Sequence, residues 1–358
     1  MAIRPEKKQH PAQKKAVTRQ DVAELADVSS AVVSYVINNG PRPVAEETKK
    51  RVLKAIEKLG YRPNKHAQRL KSRSAKGKRQ LGIIMGGNGE ILLRPYYADV
   101  LFGIYDEAYR QGYHIRFLHF FEELHDPTLF NEYIHPDEIS ALILFPIQKS
   151  LLDSHDQTLL QRILKRIDNI VCLELPIASL PSVIFDRAEA ARVAVTHLIH
   201  SGHQRIAYVG EIDERLDGYR QALLEHGLPY DERLIKSSGK HDNAPDEGYE
   251  GARQLVELES RPTAVFAVCD EIALGVLGAL HDCGIRVPDD IALTSIDDLE
   301  FAAIVRPALT TVHVPRRQIG IQALRLVAMH ADYPDPPAVS MLLPTELIVR
   351  ESCGAKKA

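Results

Sequence analysis

Tryptophan is absent from the 358-residue chain, and cysteine occurs only four times. The cysteines are widely spaced and form no C-x-x-C pair: Cys172, Cys269, Cys283 and Cys353. This spacing argues against a disulfide framework or a cysteine-based zinc module, and it is typical of reduced thiols. Without tryptophan, any stacking against a sugar ring must use tyrosine or phenylalanine.

Metal-binding and catalytic motifs are also lacking. His197, His200 and His203 lie close together, but Gly202 ends their predicted helix before His203, so we expect them to have structural roles. There is no G-x-S-x-G elbow and no P-loop, and Gly86-Gly87-Asn88-Gly89 lacks the spacing of a dinucleotide fingerprint. We therefore predict no catalytic residues, no cofactor, no metal site and no enzymatic activity.

Long apolar segments are missing as well. No run approaches the roughly 20 apolar residues of a membrane span, which predicts that the membrane is not a partner. Residues 1–16 are basic and contain no apolar segment, so they are expected to form a flexible arm rather than a signal peptide. A solute-binding protein of a transport system, the alternative class for the core described below, would need an export signal.

The net charge of -3 conceals a strong asymmetry along the chain. Residues 1–80 contain 20 lysines and arginines against 7 acidic residues, a net charge of +13, and the remainder carries -16. A basic front and an acidic remainder predict that the front binds a polyanion.

Residues 17–61 have the pattern of three short helices. Thr18 and Asp21 are spaced as a weak capping box, and Ser29 can cap a second helix. Gly60 ends a third helix over about residues 46–59. The apolar positions that recur at helical spacing are Val22, Leu25, Ala26, Val33, Val36, Ile37, Val52, Leu53, Ile56 and Leu59. So few apolar positions can form only a small core.

A core of this size suits a helix-turn-helix unit, whose middle helix enters DNA, better than a catalytic domain. A small helical unit that binds protein is the alternative. Residues 63–71 follow as one short basic helix that is too short to be stable alone, and a solvated basic linker is the alternative there.

Beyond a polar basic linker at residues 72–79, apolar strand candidates alternate with amphipathic helices, which predicts parallel α/β sheets. The alternation pauses at a proline-bearing link over residues 176–181 and then restarts, so we predict two such sheets in two lobes. We expect residues 80–178 and 310–338 in the N-terminal lobe, and residues 182–308 and 340–352 in the C-terminal lobe. The tail covers residues 353–358.

Ligands of such sheets bind beyond the carboxyl ends of the strands, which nominates the loops there. The same architecture occurs in periplasmic sugar-binding proteins and in enzymes, so the fold alone does not decide the function.

The helical front, at residues 17–62, resembles the DNA-binding domain of LacI/GalR-family transcriptional regulators. The family pattern V-T-x-x-D-V-A-x-x-A-x-V-S-x-x-T-V-S-R-V-x-N is matched by Val17, Thr18, Asp21, Val22, Ala23, Ala26, Val28, Ser29, Val33, Ser34, Val36 and Asn38. Val32 replaces the usual threonine, Tyr35 the usual arginine, and Ala45 a serine that commonly caps the third helix. A phenol cannot make the bidentate contact to guanine that an arginine makes, so an unusual operator is expected.

The resemblance implies a DNA-contacting surface with two kinds of residue. Ser30, Ala31 and Tyr35 are expected to read bases. Phosphate contacts are expected from Ser29, Ser34 and Asn38, and Thr18 also belongs to the expected DNA-contacting set. In the P-N-x-x-A-x-x-L segment that follows, the resemblance implies a hinge helix that folds on specific DNA. There, Leu70 is expected to enter the minor groove, with Ala67 one turn earlier and Asn64 as a possible cap.

The resemblance continues to about residue 352 and implies an effector-binding core. The matching motifs include Pro95-Tyr96-Tyr97, Arg215-Leu216-Asp217-Gly218-Tyr219, Val287-Pro288-Asp289-Asp290, Ile296-Asp297-Asp298 and Arg350-Glu351-Ser352. Arg215 and Asp297 are expected to be the main polar ligands of the effector. Tyr96, Tyr97, Glu174 and Asp270 complete the expected site, although Tyr97 could equally belong to the core. Cys269 replaces an asparagine that usually contacts effector.

Together, these features predict a cytoplasmic, sequence-specific repressor that binds a pseudo-palindromic operator as a homodimer. Its operator affinity would be controlled by a small molecule bound between the lobes. A sugar or related polyol is the typical effector of the family, and purines also occur. The C-terminus lacks a leucine heptad, which favours a dimer over a tetramer.

Overall fold

The computed structural model describes residues 17–37, 44–61, 79–147, 154–174, 177, 180–239, 244–331 and 339–354. The chain divides into two compact units, Met1–Gly87 with Gly112–Ile170 and Asn88–Gln111 with Val171–Ala358. No helix within the described ranges is long and apolar enough to cross a membrane. The predicted N-terminal arm and hinge helix lie outside the described residues.

The first unit begins with the predicted three-helix head. Its helices are α1 (Arg19–Ala26), α2 (Ser30–Ile37) and α3 (Glu46–Leu59). Thr18 and Asp21 form the expected capping box, in which the Asp21 carboxylate accepts a 2.6 Å hydrogen bond from the Thr18 N–H. The Ser29 hydroxyl accepts from the Val32 N–H at 3.3 Å, which satisfies one of the free donors at the start of α2.

The core of the head is small. Its fully buried members are Val22, Ala23, Ala26, Val33, Val52, Ala55, Ile56 and Tyr61. Leu25, expected in this core, is 44% exposed, because a helix of two turns buries only a narrow stripe. Gly60 adopts a left-handed conformation at the end of α3, and Ala45 provides no side-chain cap at its start.

The remainder of the first unit is a parallel α/β arrangement. Its elements are β1 (Gln80–Met85), β2 (His114–Phe120), α5 (Pro127–Tyr133), β3 (Ala141–Phe145) and α6 (Ser154–Leu164). Strand β1 pairs in parallel with β2 on one side and with β3 on the other. All five residues of β3 are buried, as expected for a strand covered on both faces.

The second unit begins with α4 (Pro95–Arg110), and its other helices are α7 (Arg187–His200), α8 (Glu214–Glu225), α9 (Pro245–Val256), α10 (Asp270–Asp282) and α11 (Arg316–Ala331). The strands after β4 (Ile170–Leu173) are β5 (Ser182–Ile184), β6 (Ile206–Val209), β7 (Ile235–Lys236), β8 (Ala264–Ala267), β9 (Ala292–Asp297), β10 (Thr310–His313), β11 (Ser340–Leu342) and β12 (Glu346–Ile348). Six of them form a sheet of order β12-β10-β9-β8-β6-β7, in which only β12 is antiparallel.

Strand pairing differs from the expected lobe boundaries at three places. The restart of the alternation predicts β5 in the second sheet, but β5 pairs in parallel with β4 and with β11. Strand β11 was likewise placed in the C-terminal lobe, whereas β10, placed in the N-terminal lobe, pairs with β9. The physical reason is that pairing partners of three- and four-residue strands are distant in sequence, so periodicity cannot identify them.

Glycines bring helices of the second unit into backbone contact. A Cβ on Gly218 of α8 would collide with the carbonyl oxygen of Ala188 in α7. In the same way, a Cβ on Gly248 would meet the Ile272 carbonyl, and one on Gly275 would meet the Pro245 carbonyl. Helices α7 and α8, and helices α9 and α10, therefore pack with no side chain between them at these points. Gly218 belongs to the motif that starts at Arg215, so that motif has a packing role as well.

Candidate functional site

The head presents the expected DNA-contacting residues along α2. Val33 is the only residue of α2 that is fully buried, so the other side chains of this helix keep exposed surface. Ser29 and Ala31 are exposed, and Ser30, Ser34 and Tyr35 are half-buried. The Ser30 hydroxyl accepts a 2.9 Å hydrogen bond from Arg19 Nε, a residue of α1 that sequence reasoning did not select.

Several expected DNA contacts lie beyond what the structure describes. Asn38, Asn64, Ala67 and Leu70 are outside the described residues. Thr18 is described, and its hydroxyl is used in the capping box of α1. A role of Thr18 at DNA would therefore accompany its capping role.

The expected effector residues all lie in the second unit, and two of them have unusual backbone conformations. Glu174 follows β4 with a φ of 70°, and Asp297 ends β9 with a φ of 119°. Residues other than glycine rarely adopt positive φ, and such strain is concentrated at functional sites. Both side chains project at the carboxyl end of a parallel strand, where ligands of α/β sheets bind.

Buried polar atoms without partners accompany Glu174. The Tyr96 hydroxyl, Glu174 Oε1 and Arg187 Nε are buried, and none has a hydrogen-bond partner of good geometry among the described residues, although the Tyr96 phenol lies close enough to Glu174 to interact with its carboxylate. Burial, followed by the nearby charge of Glu174, raises the pKa of Tyr96, so its phenol remains a proton donor. Leaving such atoms unpaired is costly, and a polar ligand would satisfy them.

Tyr96 and Tyr97 open α4 side by side. Their rings are edge to face, with centroids 5.3 Å apart. Tyr96 is buried, Tyr97 is half-buried, and the Arg94 guanidinium lies 5.4 Å from the centroid of the Tyr97 ring. Burial, then the charge of Glu174, also raises the pKa of Tyr97. Because Tyr97 keeps an exposed part, it is placed to contact a ligand as well as the core.

Arg215 is held firmly by its neighbours. Its Nε and Nη2 donate to the two carboxylate oxygens of Asp213 at 2.9 and 2.6 Å, and its Nη1 donates to the Val268 carbonyl at 3.0 Å. Burial alone would raise the pKa of Asp213, but pairing with Arg215 outweighs it, and the pKa is lowered. Arg215 Nη2 also lies 3.5 Å from the buried Glu211 carboxylate, so most of the guanidinium is engaged by this chain's own residues.

Three further arginines surround the same residues, and each has a carboxylate partner. Arg187 Nη2 donates to Glu174 Oε2 at 2.8 Å. Arg94 Nη2 donates to Glu271 Oε2 at 2.6 Å, and Arg316 Nε donates to Asp99 Oδ2 at 3.1 Å. Arg316 also donates to the Asp297 carbonyl. These charges are paired before any ligand arrives.

Asp297 differs from the carboxylates described above, each of which is paired with an arginine. The carboxylate accepts no hydrogen bond from any described residue, although the side chain is buried. Burial, and then the charge of Asp270, raise the pKa of Asp297 against the influence of Arg316. A buried carboxyl group without donors is suited to accept hydrogen bonds from ligand hydroxyls, as predicted for this residue.

Asp270 is placed differently from the prediction that it reaches the ligand. Its carboxylate is completely buried and accepts from the Ser295 hydroxyl at 2.5 Å, the Thr311 hydroxyl at 2.7 Å and the Leu299 N–H at 2.6 Å. These bonds tie the start of α10 to β9, β10 and the turn after β9. The geometry therefore favours a structural role for Asp270.

Sequence reasoning missed six of the charged residues described above: Arg94, Asp99, Arg187, Asp213, Glu271 and Arg316. A signal was available for two of them. Arg187 is the first residue of α7, directly after its N-cap Asp186, and Asp213 is the N-cap of α8, so both lie at the start of a helix that follows a strand. The others lie near or within helices, and their neighbours are distant in sequence. At position 269, the cysteine is buried, and burial raises the pKa of its thiol to about 12.

Two family models match the chain. "Bacterial regulatory proteins, lacI family" matches residues 18–64, and "Periplasmic binding protein-like domain" matches residues 195–353. The first match covers the head, and the second covers most of the second unit. The two matched regions follow one another along the chain in the same order as the predicted helical head and α/β core.

Full-length relatives agree with these matches. Catabolite control protein A of Priestia megaterium is 34% identical over 350 residues, which are 94% of this chain and 99% of that protein. The HTH-type transcriptional repressor PurR of Vibrio atlanticus (strain LGP32) is 33% identical over 87% of this chain and 90% of the relative. The chain thus belongs to the lacI family of bacterial transcriptional regulators.

Solved structures support the same assignment. The transcriptional regulator CelR in complex with cellobiose has a TM-score of 0.66 at 28% identity and covers 94% of this chain and 99% of its own. The lac repressor dimer bound to operator and the anti-inducer ONPF also has a TM-score of 0.66, at 25% identity, covering 95% of this chain and 100% of its own. The predicted architecture, a helical head followed by two parallel α/β sheets, is confirmed. Family members are DNA-binding transcriptional regulators, which also confirms the predicted class.

Proposed function

We propose that this chain is a cytoplasmic repressor that binds a pseudo-palindromic operator as a homodimer and releases or tightens its hold when an uncharged, hydroxyl-rich molecule binds. The observation that carries the effector proposal is the group of unpaired buried atoms on Tyr96, Glu174 and Arg187, close to the bare carboxylate of Asp297. The coupling of the two sites is a free energy that acts in both directions.

The chemistry of the site favours hydroxyl groups. Glu174 Oε1 and the Asp297 carboxylate can accept hydrogen bonds, whereas Arg187 Nε and the Tyr96 hydroxyl can donate them. A sugar hydroxyl donates and accepts at once, so neighbouring hydroxyls fit a mixed set of this kind. Tyr97 offers the aromatic surface on which an apolar sugar face can lie.

The charges of the site favour a neutral ligand. Arg94, Arg187, Arg215 and Arg316 each have a carboxylate partner within 3.1 Å. An anionic ligand would have to compete with those carboxylates for the guanidinium groups. This argument favours neutral sugars over sugar phosphates and uronates, and CelR, the structural relative solved with cellobiose, is consistent with it.

The head supports the DNA-binding proposal through its surface. We assign base reading to Ser30, Ala31 and Tyr35, and phosphate contacts to Ser29 and Ser34, because these residues at the start of α2 and along it keep exposed surface. The hinge helix with Leu70 stays a prediction from the sequence. A solute-binding protein of a transport system could bind the same ligand, but it would have no use for a helix-turn-helix head.

Exposed aromatic residues on α4 support the dimer. Phe102, Tyr105 and Tyr109 are 53%, 61% and 80% exposed and are spaced by three and four residues, so they share one helix face. An exposed aromatic stripe of this kind is typical of a protein interface. Sedimentation should give a dimer, and Tyr105→Glu should shift the equilibrium towards monomer.

Selection of random duplex DNA on the purified protein, at fixed salt, tests the operator. An enriched inverted repeat is expected, and failure to enrich any sequence with or without a pool of sugars would contradict the DNA-binding proposal. The enriched duplex then serves to screen cellobiose, glucose, ribose, galacturonate and glucose 6-phosphate for their effect on its affinity. A response only to the two anions would overturn the charge argument.

A further inference from the structure

Three metal-ligating side chains converge in the first unit, remote in sequence from every residue used above. Glu122 and His125 belong to the 3-10 helix Phe121–His125 that follows β2, and Asp156 lies in the first turn of α6. One ligand atom from each of these residues lies within 4.8 Å of the other two. His125 Nε2 is 2.9 Å from Asp156 Oδ1 and 3.9 Å from Glu122 Oε2.

These separations suit a bound metal ion. Bonds of about 2.0–2.2 Å from zinc to nitrogen and oxygen, in tetrahedral geometry, place two ligand atoms roughly 3.4 Å apart. The two measured separations, 2.9 and 3.9 Å, lie on either side of that value. The third pair, Glu122 and Asp156, lies within 4.8 Å, so the side chains would have to move to seat an ion.

The elements that carry the three side chains are anchored in the core. Phe121 and Leu124 are fully buried members of the 3-10 helix, and Leu159 and Leu160 bury the inner face of α6. Glu122 is exposed, whereas His125 and Asp156 are half-buried. Two ligands thus come from well-supported positions, and the third is free to adjust to the ion.

A second imidazole lies beside this group. The ring of His155 stacks on that of His125, with centroids 4.3 Å apart and an angle of 14° between the planes. His155 directly precedes Asp156 on α6. The neighbourhood supplies imidazole as well as carboxylate donors.

We propose that Glu122, His125 and Asp156 form a binding site for a divalent transition metal ion of the zinc class. A single histidine and aspartate would be enough for a surface ion pair, but the additional carboxylate completes a set of three ligands. Imidazole together with carboxylates favours zinc, cobalt or manganese over magnesium and calcium, which prefer oxygen ligands alone. The ion would link the segment after β2 to the start of α6.

Zinc titration of the full-length protein in competition with a chromophoric chelator tests the site. Wild type is expected to bind zinc with micromolar affinity, and His125→Ala is expected to weaken this binding at least tenfold. Asp156→Asn, which preserves size, should weaken it similarly, so a folding defect in one variant does not decide the outcome. Substituting cobalt should give the visible absorption of a tetrahedral site, and magnesium should not compete.

Other exposed donors require matched controls. His200 and His226 place their Nε2 atoms 3.3 Å apart in the second unit, and Cys283 is exposed. The variants His200→Ala and Cys283→Ser should therefore retain the zinc affinity that His125→Ala loses. Equal affinity of wild type and His125→Ala, or loss of binding only in a control variant, would overturn the proposal.

Discussion

Arg187 and Glu174 form an ion pair in which each partner keeps one unpaired buried atom. Arg187 Nη2 donates to Glu174 Oε2 at 2.8 Å, while Arg187 Nε and Glu174 Oε1 find no partner in the described part of the chain. Ordinarily, buried polar atoms are satisfied, and a partly satisfied pair is costly. The pair therefore supports the proposal that Glu174 and Arg187 form one side of a ligand site.

Glu174→Gln should weaken the binding of the effector identified by the screen by about tenfold or more. The substitution keeps the shape of the side chain but removes the charge, and a hydrogen bond to a charged group contributes about 1.5–3 kcal/mol. Calorimetric titration of the effector measures the change. Glu189→Gln, which alters a surface ion pair with Arg192, is the matched control and should bind normally. Unchanged binding by Glu174→Gln would remove Glu174 from the site.

Asp270→Asn should reduce the free energy of unfolding by about 2–4 kcal/mol, because an amide cannot accept all the hydrogen bonds that the carboxylate accepts from Ser295, Thr311 and Leu299. Urea denaturation measures this loss. Asp289→Asn, at an exposed position, should have little effect. If Asp270→Asn were as stable as wild type but did not bind effector, the result would show that Asp270 is a ligand residue.

Asp297→Asn should alter how stability depends on pH. Burial and the charge of Asp270 raise the pKa of Asp297 in the folded protein above its ordinary value of 3.8. Between that value and the raised pKa, the folded state binds more protons than the unfolded state, so this residue lowers stability as pH rises. Relative to wild type, Asp297→Asn should therefore gain stability with increasing pH above about 4. Denaturation midpoints measured at several pH values check the sign, and a constant difference would contradict it.

Tyr35 should determine part of the operator sequence. Tyr35→Ala is expected to lose about 1–3 kcal/mol of specific binding while non-specific binding changes little, and Tyr35→Arg is expected to move the preference at one position towards guanine. Repeating the random selection with each variant, at the same salt, measures both effects. Lys50→Ala, on the exposed surface of α3, is a control for charge without base reading. An unchanged consensus for both Tyr35 variants would exclude base reading by this side chain.

Local patterns were sufficient where local forces decide the structure. The bounds of α3 follow from its apolar period and from Gly60, and Thr18 forms the predicted capping box with Asp21. Strand β5, expected in the C-terminal lobe, pairs instead with β4 and β11, because a strand of three residues has its partners set by the tertiary fold. Short strands carry too little pattern to identify their neighbours.

In the candidate site, too, some features were predictable from the sequence and others depend on tertiary contacts. Its location beyond strand ends was predictable, and Arg215 and Asp297 came from the family motifs. The sequence could not show that the Asp270 carboxylate accepts hydrogen bonds from Ser295 and Thr311. It also could not show that Arg94 donates to Glu271. Each of these contacts joins residues that are far apart in the chain. The hydrogen bonds of the candidate site are therefore known only from the folded structure.

The glycines at the helix crossings have a consequence for genetics. A mutational scan scored by repression would report positions 218, 248 and 275 as intolerant of almost every substitution, because any Cβ there meets a backbone carbonyl of the neighbouring helix. None of the three positions needs to touch DNA or effector to produce that result. Intolerance in such a scan would thus mark where two helices share a surface, and the ligand residues would be distinguished by variants that still repress but no longer respond.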